Sequence, residues 1–488
     1  MSVRMDEATR AEIRAAGRDP DAAQGQLDRL LGPPTPTLLV RPATVGDGIR
    51  VIEDGQAGRL EAAHEAAARA GRLRAFVPAS GAASRMFKDT VRAWQDGIAS
   101  PSDGRLATAA RDVLLHAPDL ALWELLEEHG AVEGDVRSIL GALHGALRAH
   151  ELPKALVPFH PYPEGARTPL EEHLVEAARL VRDAEGVVRL HFTVGEAHRA
   201  AFEARVAEVR RPLETRLDCH FEVTTSVQDP STDTVAVDRQ GQLFRDDGAV
   251  LFRPGGHGAL LQNLGRLGAD VVLVKNIDNV VPDDLRGPNL PWRRRLSGLL
   301  LSLQAEAWDL VRRLRRGEAV EAAQAFVAHH LGATGVDGAE ALLDRLHRPW
   351  RVAGMVRNQG QPGGGPFWAQ SPDGTSLQIV EAAQVGPDAG QQAILGSSTH
   401  FNPVDMALGL LDADGRPFDL ARFVDPDAVI LADKSHHGRG LRALEHPGLW
   451  NGGMARWNTV FVEIPAATFQ PVKTVADLLQ CAHGGPLC

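Results

Sequence analysis

A few short stretches hold the residues whose types and spacing can do chemistry. In "FVPASGAASRMFKD", residues 76–89, an apolar run halts at Pro78 and gives way to Ala79, Ser80, Gly81, Ala82, Ala83 and Ser84. Small residues at a strand end let backbone N–H groups approach an anion, and Arg85 and Lys88 follow at once to neutralise phosphate oxygens. The loop lacks the glycines of a Walker or dinucleotide fingerprint, so on its own it is equally an ordinary strand-to-helix turn. In "LPKALVPFHPYPEGARTPLEEHL", Lys154 stands between a proline and an apolar run. It reads as a cation at the start of a strand, able to point into a crevice at the carboxyl edge of a sheet. His160, Arg167 and His173 are candidates for the same cleft and equally for structural roles, and for His173 on its helix the structural reading is favoured.

Residues 251–263, "LFRPGGHGALLQN", place Gly255, Gly256 and Gly258 around His257. That spacing suggests a loop shaped around a ligand rather than by its own packing. The apolar run "DVVLVKNID" then delivers Asp278 to a strand's carboxyl end, where open α/β sheets bind ligands. A lone carboxylate there suits Mg²⁺, which keeps several waters and takes one or two carboxylates with phosphate oxygens; Asn276 and Asn279 are placed to orient it. Downstream, "QPGGGPFW" (with Gly364) and "SLQIVEAAQ" repeat the theme of a glycine loop near a strand that ends in an acid, Glu381. Glu381, Gln384 and Asn402 are groups able to bond sugar hydroxyls, and Lys434 and Arg439 are late cations. His436 and His437 invite a metal reading, but neighbouring histidines are poor partners for one tetrahedral ion and no further Cys or spaced His completes a set, so zinc is not expected.

The elements that must position these residues alternate. Helical spacing in "RLEAAHEAAARAGRL" precedes the strand-like "LRAFVPAS", and "ALVPF", "VRLHFTV", "CHFEVTTSV", "VLFRP", "ADVVLVKNI", "WRVAGMVRN", "SLQIVEAAQV" and "PDAVILAD" follow between helical stretches. This pattern predicts an α/β fold with a mixed, mostly parallel sheet and helices on both faces. The expected organisation is an N-terminal helical region and linker over 1–70, a catalytic domain over 71–410 with helical insertions at about 102–150 and 296–348, and a C-terminal region over 411–488. The chain has 488 residues, 44% hydrophobic and 24% charged, with a formal net charge of −11. Such a balance gives no long-range pull toward nucleic acid or anionic lipid. Three cysteines, Cys219, Cys481 and Cys488, match no zinc or disulfide spacing, and no apolar stretch is long enough for a membrane span, so a cytoplasmic protein is expected.

In order along the chain, "ASGAASRM", "PKALVPF", "HFTV", "SVQDPST", "PGGHGAL", "KNIDN" and "LQIVEAAQ" resemble segments of the UDP-sugar pyrophosphorylase group of nucleotidyltransferases. Through "FRPGGHGAL", "KNIDNVV", "FNPVD" and "PGLWNG" the chain is still more similar to a bacterial family known as domain of unknown function 4301. The broader resemblance implies a glycosyltransferase-A-like, Rossmann-like fold and transfer of a nucleotidyl group, from UTP, to a sugar 1-phosphate or similar phosphorylated acceptor, with Mg²⁺ as cofactor and pyrophosphate released. It implies that Ala79 to Arg85 cradle the nucleotide and its phosphates, that Gln228 and Gly256 face the base, and that His257 and Gly258 of the same loop also bind the nucleotide. Asp278 would hold the metal, Lys154 would sit against phosphate, and Glu381, Asn402 and Gly364 would hold the sugar, with Lys434 at a second phosphate. Two departures stand out: Ser-Gly-Ala-Ala replaces paired glycines, and Lys154 lies far downstream of Arg85. The rival readings are a non-catalytic nucleotide or nucleotide-sugar binding protein and a metal-dependent phosphohydrolase.

Overall fold

The computed structural model describes residues 4–360, 363–371 and 374–487; Gln361 and Pro362 of the glycine-rich stretch, and Cys488, lie outside them. The chain forms two units, one from Met1–His64, Gln228–Leu273 and Arg295–Pro465, the other from Glu65–Val227, Val274–Arg294 and Ala466–Cys488.

In the second unit the strands Leu73–Pro78, Val187–Val194 and His220–Val227 lie side by side and parallel. The helices Pro169–Leu180 and Arg199–Leu217 supply the crossovers that parallel pairing requires. Pro169–Leu180 starts on a capping box between Thr168 and Glu171 with Pro169 in the first turn. Its i, i+4 spacing turns both Glu172 and Glu176 inward, where each meets buried cations. The helices Lys88–Gln95, Thr108–Leu115, Trp123–Glu128 and Val136–Leu140 pack together, the last three within the span of about 102–150 read as an insertion. Their apolar faces share one core with Ala83, Met86 and Phe87 and with Val472, Val475, Leu478 and Leu479. The insertion therefore braces both the small-residue loop and a C-terminal segment.

The first unit carries a mixed sheet in which Asn458–Glu463 runs parallel to Trp350–Arg357 and to Gly48–Arg50, while Asp405–Gly409 pairs antiparallel. Trp350–Arg357 is buried at every residue but its last, which explains its near-continuous apolar run. Antiparallel sheets flank it: Leu39–Pro42 with Gly365–Ser371 and Gly374–Val380, and Phe252–Arg253 with Thr234–Val237, Arg439–Glu445 and Ile430–His436. The helix Asn289–Leu314 begins before the span of about 296–348 read as a second insertion, and Val320–Leu331 lies within it. The strand Val271–Lys275 passes from one unit to the other. No helix among the described residues is long and apolar enough to cross a membrane.

Two local expectations fail. "ALVPF" is no strand; Lys154–Leu156 is a 3₁₀ turn in which Leu156 N donates to Pro153 O at 2.9 Å. Pro153 and Pro158 remove ladder donors from a very short run, and a turn results. Cys481 is disulfide-bonded although the cysteine spacing announced no cross-link, whereas Cys219 is a free thiol.

Burial in the second unit has a pH consequence. Desolvation pushes His144 and His483 down to about 3 and His173 and His191 down to about 4. The unfolded chain takes up those protons near pH 6.5 and the folded one does not, so their contribution is intact above pH 6.5 and shrinks as pH falls from there toward 4. The denaturant midpoint at pH 5 should lie clearly below that at pH 7; equal midpoints would contradict this burial.

Candidate functional site

The second unit concentrates opposite charges at a strand end. After Leu73–Pro78, Ala79 N still donates to Thr193 O at 2.8 Å, but the chain then leaves the sheet. Ser80, Gly81, Ala82, Ser84 and Arg85 are exposed, and the backbone N–H groups of Ser80, Gly81, Ala82 and Ser84 have no hydrogen-bond partner among the described residues. Free N–H groups with no bulky side chains around them can meet an anion. Ala83 N donates to Leu152 O at 2.8 Å and Lys154 N to Gly81 O at 3.1 Å. These two bonds resolve the departure in spacing, because the helical insertion leaves after Arg85 and returns Lys154 to the same loop.

Lys154 Nζ donates to Asp278 Oδ2 at 2.9 Å, and Lys473 Nζ donates to the same oxygen at 3.0 Å. Burial alone would raise the Asp278 carboxyl, but the two ammonium groups outweigh it and hold the group below the usual carboxylate range. Burial lowers Lys154, an effect that Asp278 only partly offsets. Asp278 Oδ1 is buried with no hydrogen-bond partner among the described residues.

Three features fix Asp278 and Lys473. Lys275, three residues upstream on the strand, pairs with buried Glu176 at 2.8 Å, and Arg293 bonds the other oxygen of that carboxylate. Asn279, expected to orient Asp278, instead ties down the C-terminal segment: its Oδ1 accepts from Gln470 N at 3.0 Å while Val472 N donates to Asp278 O at 3.0 Å. Asp477 then accepts from Lys473 N and Thr474 N, both at 2.7 Å. His160 and Arg167 belong to a buried network around Glu172. His160 Nδ1 and Tyr162 Oη each lie 2.9 Å from Glu172 Oε1, Arg286 bonds Oε2, and Arg167 pairs with Asp283 at 2.9 Å. That network anchors the loop after Asp278. His173 is buried with Nε2 3.2 Å from Ile277 O, as its structural reading required.

Lys473 is the residue that sequence reasoning missed. The sequence signal is modest: a lysine after Pro471 and Val472 and ahead of a capped turn, in a segment where aromatics and prolines drew attention first.

The first unit holds a separate group. His257 Nδ1 accepts from Leu449 N at 3.0 Å, which leaves the proton on Nε2, 3.7 Å from Glu381 Oε1. Its ring stacks on Trp450 with centroids 4.3 Å apart. Burial depresses His257, with Glu381 and Glu445 opposing, so a neutral imidazole presents an N–H donor. The glycines have a more local cause than a ligand: a Cβ at Gly255 would lie 2.4 Å from Thr232 O, and one at Gly258 would lie 2.2 Å from Pro447 O. Gly256, at φ +76°, faces Glu445, which pairs with Lys434. Gly258→Ala should therefore destabilise the protein by about 3 kcal/mol, an overpacking cost; an unchanged denaturation midpoint would show that the segment at Pro447 yields freely.

Gly364 O accepts from Asn402 N at 2.8 Å, and a Cβ at Gly364 would lie 3.3 Å from Glu381 Cγ, so these three residues are neighbours. Asn402 Oδ1 accepts from Val404 N, holding Val404 at φ +59°. Gln228 Nε2 is buried without a hydrogen-bond partner among the described residues. Arg439 donates to Arg245 O at 2.9 Å and lies over the Phe244 ring.

The family described as "Domain of unknown function (DUF4301)" matches residues 6–484. The chain belongs to this family. No curated protein matches it. Among solved structures, the uridine diphosphate N-acetylglucosamine pyrophosphorylase of Trypanosoma brucei, in complex with an inhibitor, is similar with a TM-score of 0.50 at 13% identity, over 97% of this chain and 79% of that one. A UDP-glucose phosphorylase of Trypanosoma brucei has a TM-score of 0.47 at 13% identity over 97% and 77%. A UDP-glucose pyrophosphorylase variant of Leishmania major, in complex with UDP-Glc, has a TM-score of 0.47 at 13% identity over 98% and 79%. The first of these bears on the fold alone. This DUF4301 member has the mixed α/β, nucleotidyltransferase-like fold that the sequence led us to expect.

Proposed function

We propose that this DUF4301 protein transfers a nucleotidyl group, from UTP, to a sugar 1-phosphate or related phosphorylated acceptor and releases pyrophosphate. The observation that carries this reading is the placement of Asp278, Lys154 and Lys473 in one unit with the open N–H groups of Ser80, Gly81, Ala82 and Ser84. An acceptor phosphate oxygen is already ionised at neutral pH, so attack on the α-phosphorus needs no general base. A phosphorus–oxygen bond forms to the acceptor, the bond to the bridging oxygen of pyrophosphate breaks, and the leaving group keeps that electron pair. Negative charge grows on the non-reacting oxygens and on pyrophosphate, and positioned cations and backbone donors stabilise it. Lys154 and Lys473 serve that role here, Arg85 adds an exposed cation at the loop, and within the Ala79 to Ser84 loop the free N–H groups of Ser80, Gly81, Ala82 and Ser84 hold the phosphates.

The orphaned Asp278 Oδ1 fits Mg²⁺, an ion that takes one or two carboxylates and completes its shell with water and phosphate. When bound, that ion supplies further neutralisation of phosphate charge. The roles that resemblance implies for Gln228, Gly256, His257, Gly258, Gly364, Glu381, Asn402 and Lys434 are part of the same proposal and concern the first unit by itself. Its test is thermal denaturation with Mg²⁺ and each of UTP, CTP, GTP and ATP, since a ligand that binds only the native state raises its stability. A shift selective for UTP is expected; no shift with any nucleotide would refute the proposal.

A further inference from the structure

We propose that Asp246, His436 and His437 form a binding site for one divalent ion of the zinc class, independent of the chemistry proposed above. All three belong to the first unit, and they come from two turns far apart in sequence. Asp246 ends the strand Arg245–Asp246, which pairs with Ala249–Val250. His436 faces Arg439 across the hairpin of Ile430–His436 and Arg439–Glu445, so His437 and Gly438 are its two-residue turn. Ligand atoms from the three side chains all lie within 4.8 Å of one another, and no other group of three such side chains comes so close among the described residues.

The sequence argued against zinc because neighbouring histidines diverge and no third ligand was visible. Both objections fall. His437 has φ +48° and Gly438 φ +78°, the left-handed pair of a tight hairpin turn, and the two imidazole centroids come to 4.3 Å. A histidine rather than the usual Asn, Asp or Gly takes that position. The fold then brings in Asp246, whose Oδ2 lies 2.9 Å from His436 Nε2. Metal–ligand bonds of about 2.0 Å at the tetrahedral angle hold ligand atoms ~3.3 Å apart, so this pair is already near its required separation.

Two imidazole nitrogens and one carboxylate oxygen are the donor set of Zn²⁺, Co²⁺ and Ni²⁺ rather than of Mg²⁺ or Ca²⁺, and three protein ligands leave a fourth position to water. Binding would replace the hydrogen bond between His436 and Asp246 with bonds to the ion. Arg439 lies over the Phe244 ring at 4.2 Å and donates to Arg245 O, so it acts on the Asp246 carboxylate through its charge and not by bonding its oxygens.

The test is titration of the tag-free, chelator-treated full chain with Co²⁺, read by its visible ligand-field absorption, followed by displacement with Zn²⁺. One equivalent of Co²⁺ should bind, and His437→Ala and Asp246→Asn should each weaken it at least about tenfold. His437 is exposed and its turn keeps Gly438, so the His437→Ala protein should show an unchanged circular dichroism spectrum. Absence of saturable Co²⁺ binding by the wild-type chain, or equal affinity in both variants, would overturn the site.

Discussion

Replacing Asp278 with Asn is expected to cut acceptor-dependent pyrophosphate release by at least about a hundredfold, the scale seen when one preorganised charge is removed from an active site. The side chain keeps its size, so the effect comes from charge. Lys154 and Lys473 both donate to one oxygen of the native carboxylate, at 2.9 and 3.0 Å. An amide can neither hold two ammonium groups together nor offer an anionic oxygen in place of the buried, unpartnered Oδ1. Lys154 is the more strained of the two: its side chain is only 14% exposed, and without the carboxylate its burial is uncompensated. Stability should therefore fall too, by about 3 kcal/mol, the cost typical of breaking a buried pair. Kinetics of folded Asp278→Asn protein close to wild type would remove this carboxylate from the chemistry.

The second large effect separates catalysis from structure. Lys473→Ala should lower pyrophosphate release by about a hundredfold and leave the denaturation midpoint almost unmoved. The Lys473 side chain is 56% exposed, so solvent screens its pairing with Asp278 and little stability rests on it. Lys154 remains to compensate the carboxylate. The backbone around position 473 is held by main-chain bonds to Asp477 that alanine preserves. A residue with a merely structural role would show the opposite pattern, a lower midpoint with activity kept, and that pattern would contradict the assignment.

Much of this arrangement was legible in the sequence. The strand Leu73–Pro78 and the loop after it could be read because an apolar run ended in small residues and adjacent cations, a signal confined to some fourteen positions. Asp278 could be read for the same reason, at the end of a β-branched run. What escaped was long-range. Lys154 looked too distant from Arg85 until two backbone bonds returned it to Gly81 and Ala83. Lys473 joins Asp278 across 195 positions, and Asp246 joins His436 across 190, and no local pattern encodes either pairing. The glycines of "PGGHG" show the converse: their positions were evident, but their cause, carbonyl oxygens of Thr232 and Pro447 within the reach of any Cβ, could be seen only once the chain had folded.

The most direct test of nucleotidyl transfer is pyrophosphate release from UTP by the purified protein with Mg²⁺, measured with and without a panel of sugar 1-phosphates. The account predicts release that depends on both UTP and one phosphorylated acceptor and is lost in Asp278→Asn. Orthophosphate release without an acceptor, or no turnover of nucleotide with any acceptor of the panel, would contradict it.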